Sequence, residues 1–249
     1  MENKKKEIDI ILPNYNSVNF IEQTLKSIIN QSYKNWRLII VDDFSDIKTR
    51  KKIKKYKRLN KIKIYWLKKN RGAAYCRNFA INKSNSDYLA FIDSDDIWEK
   101  NKLKSQIIYM KKNKYDFTYT YYKTFGLKDK KITTPPYFNF DKFTKDTSIG
   151  TSTMMIKRKL LKNINFTNTP ICEDYYFKCK ILKRIKFAHC LRKYLTRYRI
   201  RTNSLQSNKL KNFYWIWKIN HKYNKLNFFK NLKSLFFISF NSIKKYGFK

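Results

Sequence analysis

Acidic residues are scarce in this chain of 249 residues, which has 18 Asp and Glu against 57 Lys and Arg and a net charge of +39. So positive a chain favours an anionic partner, either nucleic acid or an anionic membrane surface. Abundant Lys, Asn, Ile, Tyr and Phe offer a second explanation, because AT-rich codons make any protein basic. The charge is uneven, however, since no acid follows Asp174, and a purely basic C-terminal third suits an anionic surface.

Glycine, cysteine pairs and long apolar runs are also missing. With four glycines the chain contains neither a G-x-G-x-x-G nor a P-loop motif, which disfavours a dinucleotide fold or a P-loop NTPase. Its four cysteines form no CxxC pair, so reduced thiols in a cytosolic core are expected. The charged N-terminus has no apolar signal core, and no stretch is long enough to span a membrane.

The first half of the chain alternates between short apolar runs and helical patterns. Strands are predicted at 8–12, 37–41, 62–67 and 88–92, and helices after Asn19, at about 46–58, about 71–82 and 98–112. Asn19 with Glu22 matches a capping box, and Asp46 is the expected cap of the second helix. This alternation predicts a doubly wound α/β sheet, whose ligands bind beyond the carboxyl ends of the strands.

The few acids are concentrated in three clusters, two of which follow predicted strands. Asp93-Ser94-Asp95-Asp96 comes after the strand at 88–92, and Asp42-Asp43 after the strand at 37–41. A carboxylate pair at such a place can hold a hard divalent cation, which in turn can hold a phosphate. Asp42 and Asp43 can accept hydrogen bonds from a ribose or base, or cap the next helix.

A third cluster, Glu173-Asp174, opens a predicted helix at 173–183. Acids in a first turn are favoured by the helix dipole alone, and a general base that deprotonates an acceptor hydroxyl is the functional alternative. Between the first two clusters, Arg71-Gly72 and Arg77 lie at the start of another helix, where an anion is favoured and an arginine adds bidentate recognition.

Beyond about residue 115 the pattern is less regular. Strands are predicted at 117–121, 148–156 and 194–200, a loop at 133–136, a short helix at 158–162, and a helical tail from Asn212. We expect one domain over 1–210, divided into a first half at about 7–115 and a second half at about 116–210. Residues 211–249 would form a basic, aromatic helical extension.

Six segments, taken in order, resemble the family 2 glycosyltransferases of the GT-A fold. They are 10–16 (IILPNYN), 27–32 (SIINQS), 39–46 (IIVDDFSD), 70–78 (NRG through RN), 91–96 (FIDSDD) and 173–174 (ED). The resemblance implies a GT-A-like doubly wound mixed sheet with a Rossmann-like nucleotide-binding half. It also implies inverting transfer of a sugar from a nucleotide-diphosphate donor to an acceptor hydroxyl.

The resemblance also implies a role for each matching residue. Asp174, or else Glu173, would be the catalytic base. The nucleotide-sugar would contact Pro13, Tyr15, Asp42, Asp43, Arg77 and Asp93, and Asp95 with Asp93 would ligate a divalent metal, Mn or Mg. A metal on the donor diphosphate stabilises the charge that develops as the glycosidic bond breaks.

The chain departs from the family pattern at Arg201, where relatives often carry a histidine that touches the metal or the diphosphate. Arginine cannot ligate a metal, but it can pair with the diphosphate directly. Arg201 is therefore added to the expected donor-binding residues, and metal dependence becomes the open question. At a second departure, Phe44 stands where relatives have a glycine, which affects the shape of the loop.

The tail leaves two interpretations open. Phe228, Leu232, Leu235 and Phe236 follow helical spacing with lysines nearby, so the helix could lie on an anionic bilayer or pack on the catalytic domain. We predict a cytoplasmic glycosyltransferase of surface polysaccharide or lipopolysaccharide synthesis, free or peripheral on the inner face of the plasma membrane, with a glycan or lipid-linked glycan as acceptor. A basic nucleic-acid-binding protein and a catalytically inactive relative are the alternatives.

Overall fold

The computed structural model describes residues 6–202 and 209–247. Four parallel strands form its first half in the order β3-β2-β1-β4. Their bounds, with those of the intervening helices, are β1 Ile8–Asn14, α1 Ile21–Ile29, β2 Trp36–Asp42, α2 Ile47–Lys54, β3 Ile62–Trp66, α3 Ala73–Lys83 and β4 Tyr88–Phe91. The central strand β1 is buried almost throughout, as expected where helices cover both faces of a parallel sheet.

The second half continues the same sheet with strands of mixed direction. Its order beyond β4 is β9-β6-β10-β5, with β4–β9 and β9–β6 antiparallel and β6–β10 parallel. The elements are β5 Ile97–Trp98, α4 Lys102–Lys112, β6 Phe117–Gly126, β7 Lys131–Ile132, β8 Tyr137–Phe138, α5 Phe140–Phe143, β9 Met155–Lys157, α6 Glu173–Leu182 and β10 Ala188–Ile200. The predicted doubly wound mixed α/β sheet is confirmed.

Apolar side chains form a separate core on each face of the sheet. One core includes Leu25 of α1, Ile53 of α2 and Ile107 of α4. The other includes Ala80 of α3 and Phe177 of α6. Because alternate residues of each strand feed opposite cores, the strands read as continuous apolar runs in the sequence.

The C-terminal region is helical, as predicted, and packs on the second half of the sheet. It consists of α7 Lys209–Lys218, a π-helical turn at Ile219–Tyr223, and α8 Phe228–Tyr246. Asn220 accepts a hydrogen bond from the hydroxyl of Tyr175 in α6 at 2.6 Å. Within residues 6–202 and 209–247, none of the helices combines the length and the apolar character that crossing a bilayer requires.

Several local predictions were wrong in detail. Helix α1 is preceded by Phe20 and has no side-chain cap, because its first free N–H groups are taken by the carbonyl oxygen of Ser17 rather than by Asn19. Trp98 is not helical but lies in β5, where it pairs with Thr196 of β10. The segment 148–156 is only partly a strand, since a 3-10 turn at Thr151–Thr153 precedes β9.

Candidate active site

The acid clusters meet at one edge of the sheet. Asn14 at the end of β1 is in register with Asp42 of β2, and Ile11 is in register with Phe91 of β4, two residues before Asp93. Asp42 and Asp93 therefore flank β1 on its two sides, about 10 Å apart at the backbone because each strand spacing is about 5 Å. This placement agrees with the prediction that ligands bind beyond the carboxyl ends of these strands.

Asp93 is held by two contacts that fix its position at the end of β4. Its backbone N–H donates to the Oγ of Ser152 at 3.0 Å, and its Oδ1 accepts from Nη2 of Arg77 at 2.7 Å. About a third of the Asp93 side chain is exposed. The carboxylate is therefore both anchored and accessible from the sheet edge.

Arg77 joins the strand-end acids to the acids of α6. While Nη2 binds Asp93, Nη1 donates to Oε1 of Glu173 at 2.8 Å, and the guanidinium is almost fully buried. It also lies over the ring of Phe166 at 5.2 Å. The sequence predicted a nucleotide contact for Arg77, but the structure places this side chain between two carboxylates, below the surface.

Asp95 pairs with Arg201, the residue at which the sequence departs from its family. Arg201 Nε lies 2.9 Å from Oδ2 of Asp95, and its guanidinium stacks over Phe20 at 5.2 Å. Burial and the charge of Asp93 raise the pKa of Asp95, while Arg201 and Arg199 oppose that rise. Arg201 thus supplies a positive charge at the carboxylate that was predicted to ligate a metal.

Asp96 completes the turn below this site. Its side chain is buried, and Oδ1 accepts the backbone N–H of Arg199 at 2.9 Å. Burial, followed by the charges of Asp95 and Asp93, raises the pKa of Asp96 well above its usual value. Asp96 therefore ties β4 to β10 rather than facing a ligand.

Asp174 sits in the first turn of α6 beside a buried lysine. Its Oδ2 accepts from Lys178 Nζ at 2.7 Å and from the hydroxyl of Thr151 at 2.9 Å. Burial alone would raise the pKa of Asp174, but Lys178 above all, with Arg77 and Thr151, lowers it to about 2. The carboxylate is consequently ionised throughout the neutral pH range.

Glu173 differs from its neighbour in the direction of its pKa shift. Burial raises the pKa of Glu173, Arg77 opposes that rise, and Asp174 adds to it. Its side chain is 18% exposed and that of Asp174 is 22% exposed. The two acids are therefore similarly accessible, and their partners distinguish them: Glu173 is linked to Asp93 through Arg77, whereas Asp174 is linked to its own helix through Lys178.

Asp42 and Asp43 stabilise the loops at the ends of β2 and β1. Asp42 is fully buried and accepts hydrogen bonds from Asn14 at 2.8 Å and from Arg50 at 2.9 Å. Asp43 is almost fully buried, and its two oxygens accept the backbone N–H groups of Arg71 at 2.6 Å and Gly72 at 2.8 Å. Both carboxylates thus shape this edge of the sheet from beneath its surface.

Pro13 and Tyr15 lie on either side of Asn14 where β1 leaves the sheet. Pro13 is half-buried in register with Val41 of β2, whereas Tyr15 is 52% exposed. An exposed aromatic ring at a sheet edge is suited to stack on a nucleotide base. The loop after β2 also exposes Phe44, whose φ of 65° is left-handed, so the ring occurs where a glycine would be unstrained.

Sequence reasoning missed several residues that position the site: Arg50, Thr151, Ser152, Lys178 and Arg199. Only Lys178 left a local signal, because it follows Asp174 by four residues, a spacing that brings side chains together on a helix. Thr151 and Ser152 lie in the 3-10 turn that was predicted as a strand. Arg201 belongs to the segment 198–204 (YRIRTNS), of which residues 203 and 204 lie outside the described residues.

The described residues at this edge of the sheet could hold a divalent cation only together with oxygen ligands from a substrate. No group of three or more His, Cys, Asp or Glu residues comes together as a metal site within the described part of the chain. Asp93 and Asp95 fit the alternative, in which one or two carboxylates and the phosphates of a substrate complete the shell. One oxygen of each, however, already binds an arginine.

Comparison with known proteins identifies the class that this fold and site belong to. Residues 9–189 match the sequence model of Glycosyl transferase family 2. The chain is 33% identical over 98% of its length to TuaG, a Bacillus subtilis glycosyltransferase assigned to teichuronic acid biosynthesis, and covers 99% of that protein. This chain therefore belongs to glycosyltransferase family 2.

A second relative and two solved structures extend the comparison. Identity is 34% to WfgD of Escherichia coli, named as a UDP-Glc:alpha-D-GlcNAc-diphosphoundecaprenol beta-1,3-glucosyltransferase, over 85% of this chain and 84% of that one. Staphylococcus aureus TarS with UDP-GlcNAc superposes with a TM-score of 0.76 at 20% identity, over 96% of this chain and 73% of TarS. The mannosyltransferase PcManGT of Pyrobaculum calidifontis, solved with GDP-Man and Mn2+, gives 0.71 at 15% identity over 94% and 70%.

These findings confirm the predicted family and the GT-A fold. They also favour the glycosyltransferase interpretation over a nucleic-acid-binding protein, because the match runs through the acid clusters that the latter left unexplained. The positive charge of the chain therefore needs an explanation compatible with a glycosyltransferase.

Proposed function

We propose that this chain transfers a sugar from a nucleotide-diphosphate donor to a hydroxyl group of a glycan acceptor, with inversion at the anomeric carbon. The observation that carries the proposal is the Asp93–Arg77–Glu173 chain of ion pairs, with contacts of 2.7 and 2.8 Å. These ion pairs connect the end of β4, which is suited to bind a donor, with helix α6, which begins with two acids. A donor and an acceptor bound at these two places would meet.

The donor side consists of Asp93, Asp95 and Arg201. Arg201 can pair with a diphosphate oxygen once it leaves Asp95, because its planar guanidinium matches the geometry of phosphate. Asp93 and Asp95 would hold a divalent cation, which when bound neutralises charge on the leaving diphosphate. Tyr15 is exposed beside this site and would stack on the nucleotide base.

On the acceptor side we assign the base to Asp174. The acceptor oxygen forms a bond to the anomeric carbon while the bond from that carbon to the diphosphate oxygen breaks, and the electron pair leaves with the nucleoside diphosphate. The hydroxyl proton passes to Asp174. Because its pKa is about 2, Asp174 is a weak base, so proton transfer must accompany bond formation rather than precede it.

Glu173 is assigned a positioning role. Its Oε1 is held by Arg77, which also holds Asp93. Glu173 therefore fixes the first turn of α6 relative to the end of β4. Each acid binds a buried cation through one oxygen, Glu173 through Arg77 and Asp174 through Lys178, but only Arg77 also holds the strand end. We therefore assign the base to Asp174, whose cation belongs to its own helix.

The acceptor class follows from the relatives rather than from the pocket. WfgD is named for an acceptor on diphosphoundecaprenol and TuaG for teichuronic acid biosynthesis, which supports a surface polysaccharide built on a lipid-linked glycan. The four cysteines are free thiols, which suits a reducing cytoplasm. We also keep as a proposal the division into a donor half at about 7–115, an acceptor half at about 116–210 and an extension at 211–249.

Two substitutions test this assignment. Thermal-shift screening of nucleotide sugars, with and without Mn2+, identifies the donor, because a ligand that binds only the native state raises the Tm. With that donor and a glycan acceptor, Asp95→Asn should weaken donor binding by about tenfold, the effect of one lost charged contact. Asp174→Asn should lower kcat by about 100-fold or more while donor binding is unchanged.

Asp141→Asn is the matched control, because Asp141 is exposed and pairs with Lys145, four residues further along the chain. It should leave both donor binding and kcat unchanged. Full activity of Asp174→Asn would refute the assignment of the base. A chain that binds nucleotide sugars but transfers none to any acceptor would instead be the inactive relative.

A further inference from the structure

The outer face of α8 carries a row of exposed apolar side chains, here called the α8 stripe. It consists of Phe229, Leu232, Phe236, Phe240 and Ile243, spaced three or four residues apart. Phe229 is 80% exposed and Phe236 is 66% exposed. Such spacing puts the five side chains on one side of the helix, along a helix about 28 Å long.

The opposite side of α8 fixes the helix to the domain. Asn231 donates to the carbonyl oxygen of Trp217 at 3.1 Å, and Asn241 donates to that of Lys145 at 3.1 Å. Ser234 is buried and bonds to the carbonyl oxygen of Thr144, and Ile238 joins the core. Leu235, predicted with the exposed row, instead packs against that core. Among residues 6–202 and 209–247, nothing covers the α8 stripe, which is thus the open side of a well-anchored helix.

A basic, aromatic groove lies beside the α8 stripe. It has a volume of about 470 Å3 and is lined by Tyr214, Trp217, Lys218, His221, Lys222 and Lys225. Trp217 contacts Phe228 with ring centroids 5.6 Å apart, and Phe228 contacts Phe229 at 5.8 Å. The groove and the stripe therefore form one continuous surface, with cations at one end and apolar side chains along the rest.

The charge of this region selects its partner. Residues 209–249 contain ten lysines and no acid. A second copy of the same surface would bring two such clusters together and be repelled. An anionic lipid bilayer suits both the basic groove and the apolar stripe. Its phosphates can reach the groove, while the aromatic side chains enter the interface between headgroups and acyl chains.

The C-terminal region that carries this surface is bonded to helix α6. The bonds run from the hydroxyl of Tyr175 to Asn220, at 2.6 Å, and from Lys183 Nζ to the carbonyl oxygen of Asn224, at 3.3 Å. Helix α6 begins with Glu173 and Asp174. The docking region and the helix that carries the proposed base are therefore directly connected.

We infer that the α8 stripe and the adjoining groove are a docking surface for an anionic bilayer. This inference goes beyond the proposed function, since it concerns where the enzyme works and would hold for any donor. It also gives a role to the absence of acids after Asp174, which leaves every charged side chain beyond that residue positive.

The test is flotation of the full chain with phosphatidylcholine vesicles and with phosphatidylcholine–phosphatidylglycerol vesicles. Wild type should bind the anionic vesicles and lose binding as salt is raised. Phe236→Ser/Phe240→Ser should lower the partition coefficient by about 100-fold, because each phenyl group buried at the interface contributes about tenfold. Lys222→Gln/Lys225→Gln should lower it by about tenfold or more, since each lysine near the surface contributes about 1 kcal/mol.

Two control variants match these changes elsewhere on the surface. Ile108→Ser/Leu127→Ser removes two exposed apolar side chains, and Lys104→Gln/Lys112→Gln removes two exposed charges of α4. Neither control should change binding by more than about twofold. Because every altered side chain is exposed, all four variants should keep the Tm of wild type.

Three results would overturn the inference. Wild type could ignore anionic vesicles, the α8 stripe variant could bind them as wild type does, or ultracentrifugation could find a dimer that the stripe variant abolishes. Transfer to a short soluble glycan is measured in parallel and should be the same for wild type and the stripe variant. A wild type that transfers the sugar but does not bind anionic vesicles contradicts only this inference, whereas a wild type that binds the vesicles but transfers no sugar contradicts only the proposed function.

Discussion

Arg201 lies 2.9 Å from Asp95, with Nε facing Oδ2, so two charged groups on the proposed donor side hold each other. A cation that binds Asp95 must compete with a guanidinium that is already in place. A diphosphate offers each of them a new partner, because it carries negative charge for Arg201 and further oxygen ligands for the cation. Donor binding should therefore separate this ion pair.

The first prediction concerns metal dependence. Replacing Arg201 with His removes the competing charge and supplies a ring nitrogen that can ligate a metal. We expect Arg201→His to need about tenfold less Mn2+ for half-maximal turnover, since one lost ion-pair contact of about 1.4 kcal/mol corresponds to a tenfold change. A chelator should reduce turnover of Arg201→His more than that of wild type.

Arg197→His serves as the control for that experiment. Arg197 is two strand positions from Arg199, is exposed, and stacks on Phe125 at 4.9 Å. It should leave the Mn2+ dependence as it is in wild type. Identical Mn2+ curves for wild type and Arg201→His would show that Arg201 does not compete with the metal.

The second prediction concerns pH. Lys178 is almost fully buried, and its ammonium is the main cause of the low pKa of Asp174. In Lys178→Met the effect of burial, which raises the pKa of Asp174, is no longer opposed by that charge. Since the base must be ionised to accept a proton, the acidic limb of the kcat/KM profile should move up from about pH 2 into the measurable range.

The same contact has a consequence for stability. A carboxyl group whose pKa is lowered in the folded state stabilises the fold above its ordinary pKa, and this contribution is lost as the pH falls towards the folded-state value. For Asp174 that window runs from about pH 3.8 down to about pH 2.

The control for the kinetic experiment is Lys180→Met, which lies on the same helix but is bonded to the oxygens of Asn165 and Thr167. It should keep the wild-type pH profile of kcat/KM. An unmoved profile in Lys178→Met would exclude Asp174 as the titrating base.

Most of the first half could be predicted from the sequence because β1, β2 and β4 are buried on both faces. Each is a nearly continuous apolar run, interrupted by Asp9 in β1 and Arg37 in β2, and an acid or amide at or just after its end marks where the chain leaves the sheet. Strand β10 is longer than predicted because Arg192 and Lys193 are exposed at a register shift, so their polarity hides a strand. Trp98 is in a strand only because β10 pairs with it, about 100 residues later.

The individual residues of the candidate site could be predicted from the sequence, but the contacts between them could not. Strand ends and family motifs locate Asp93, Asp95 and Asp174, since each is a local feature of the sequence. The contact of Arg77 with Glu173 joins positions 96 residues apart, and no local pattern reports it. For the same reason Asp42 and Asp43 were expected to face the nucleotide, although their carboxylates are used within the loops.

The third prediction concerns Arg77, whose guanidinium separates Asp93 from Glu173. In Arg77→Met both carboxylates keep their positions without a shared cation, which should lower the free energy of unfolding by about 3 kcal/mol, as is typical when one partner of a buried ion pair is removed. Arg77 lowers the pKa of Glu173 and so opposes the effect of burial, which raises it. Without Arg77, Glu173 should protonate more readily, and the loss of stability should shrink as the pH falls.

Urea unfolding at several pH values measures this loss. Arg158→Met is the control, because Arg158 bonds to Ile81 and Ser84 and contacts no acid of the site. If the loss of stability in Arg77→Met stayed constant with pH, the two carboxylates left without their shared cation would not be its cause.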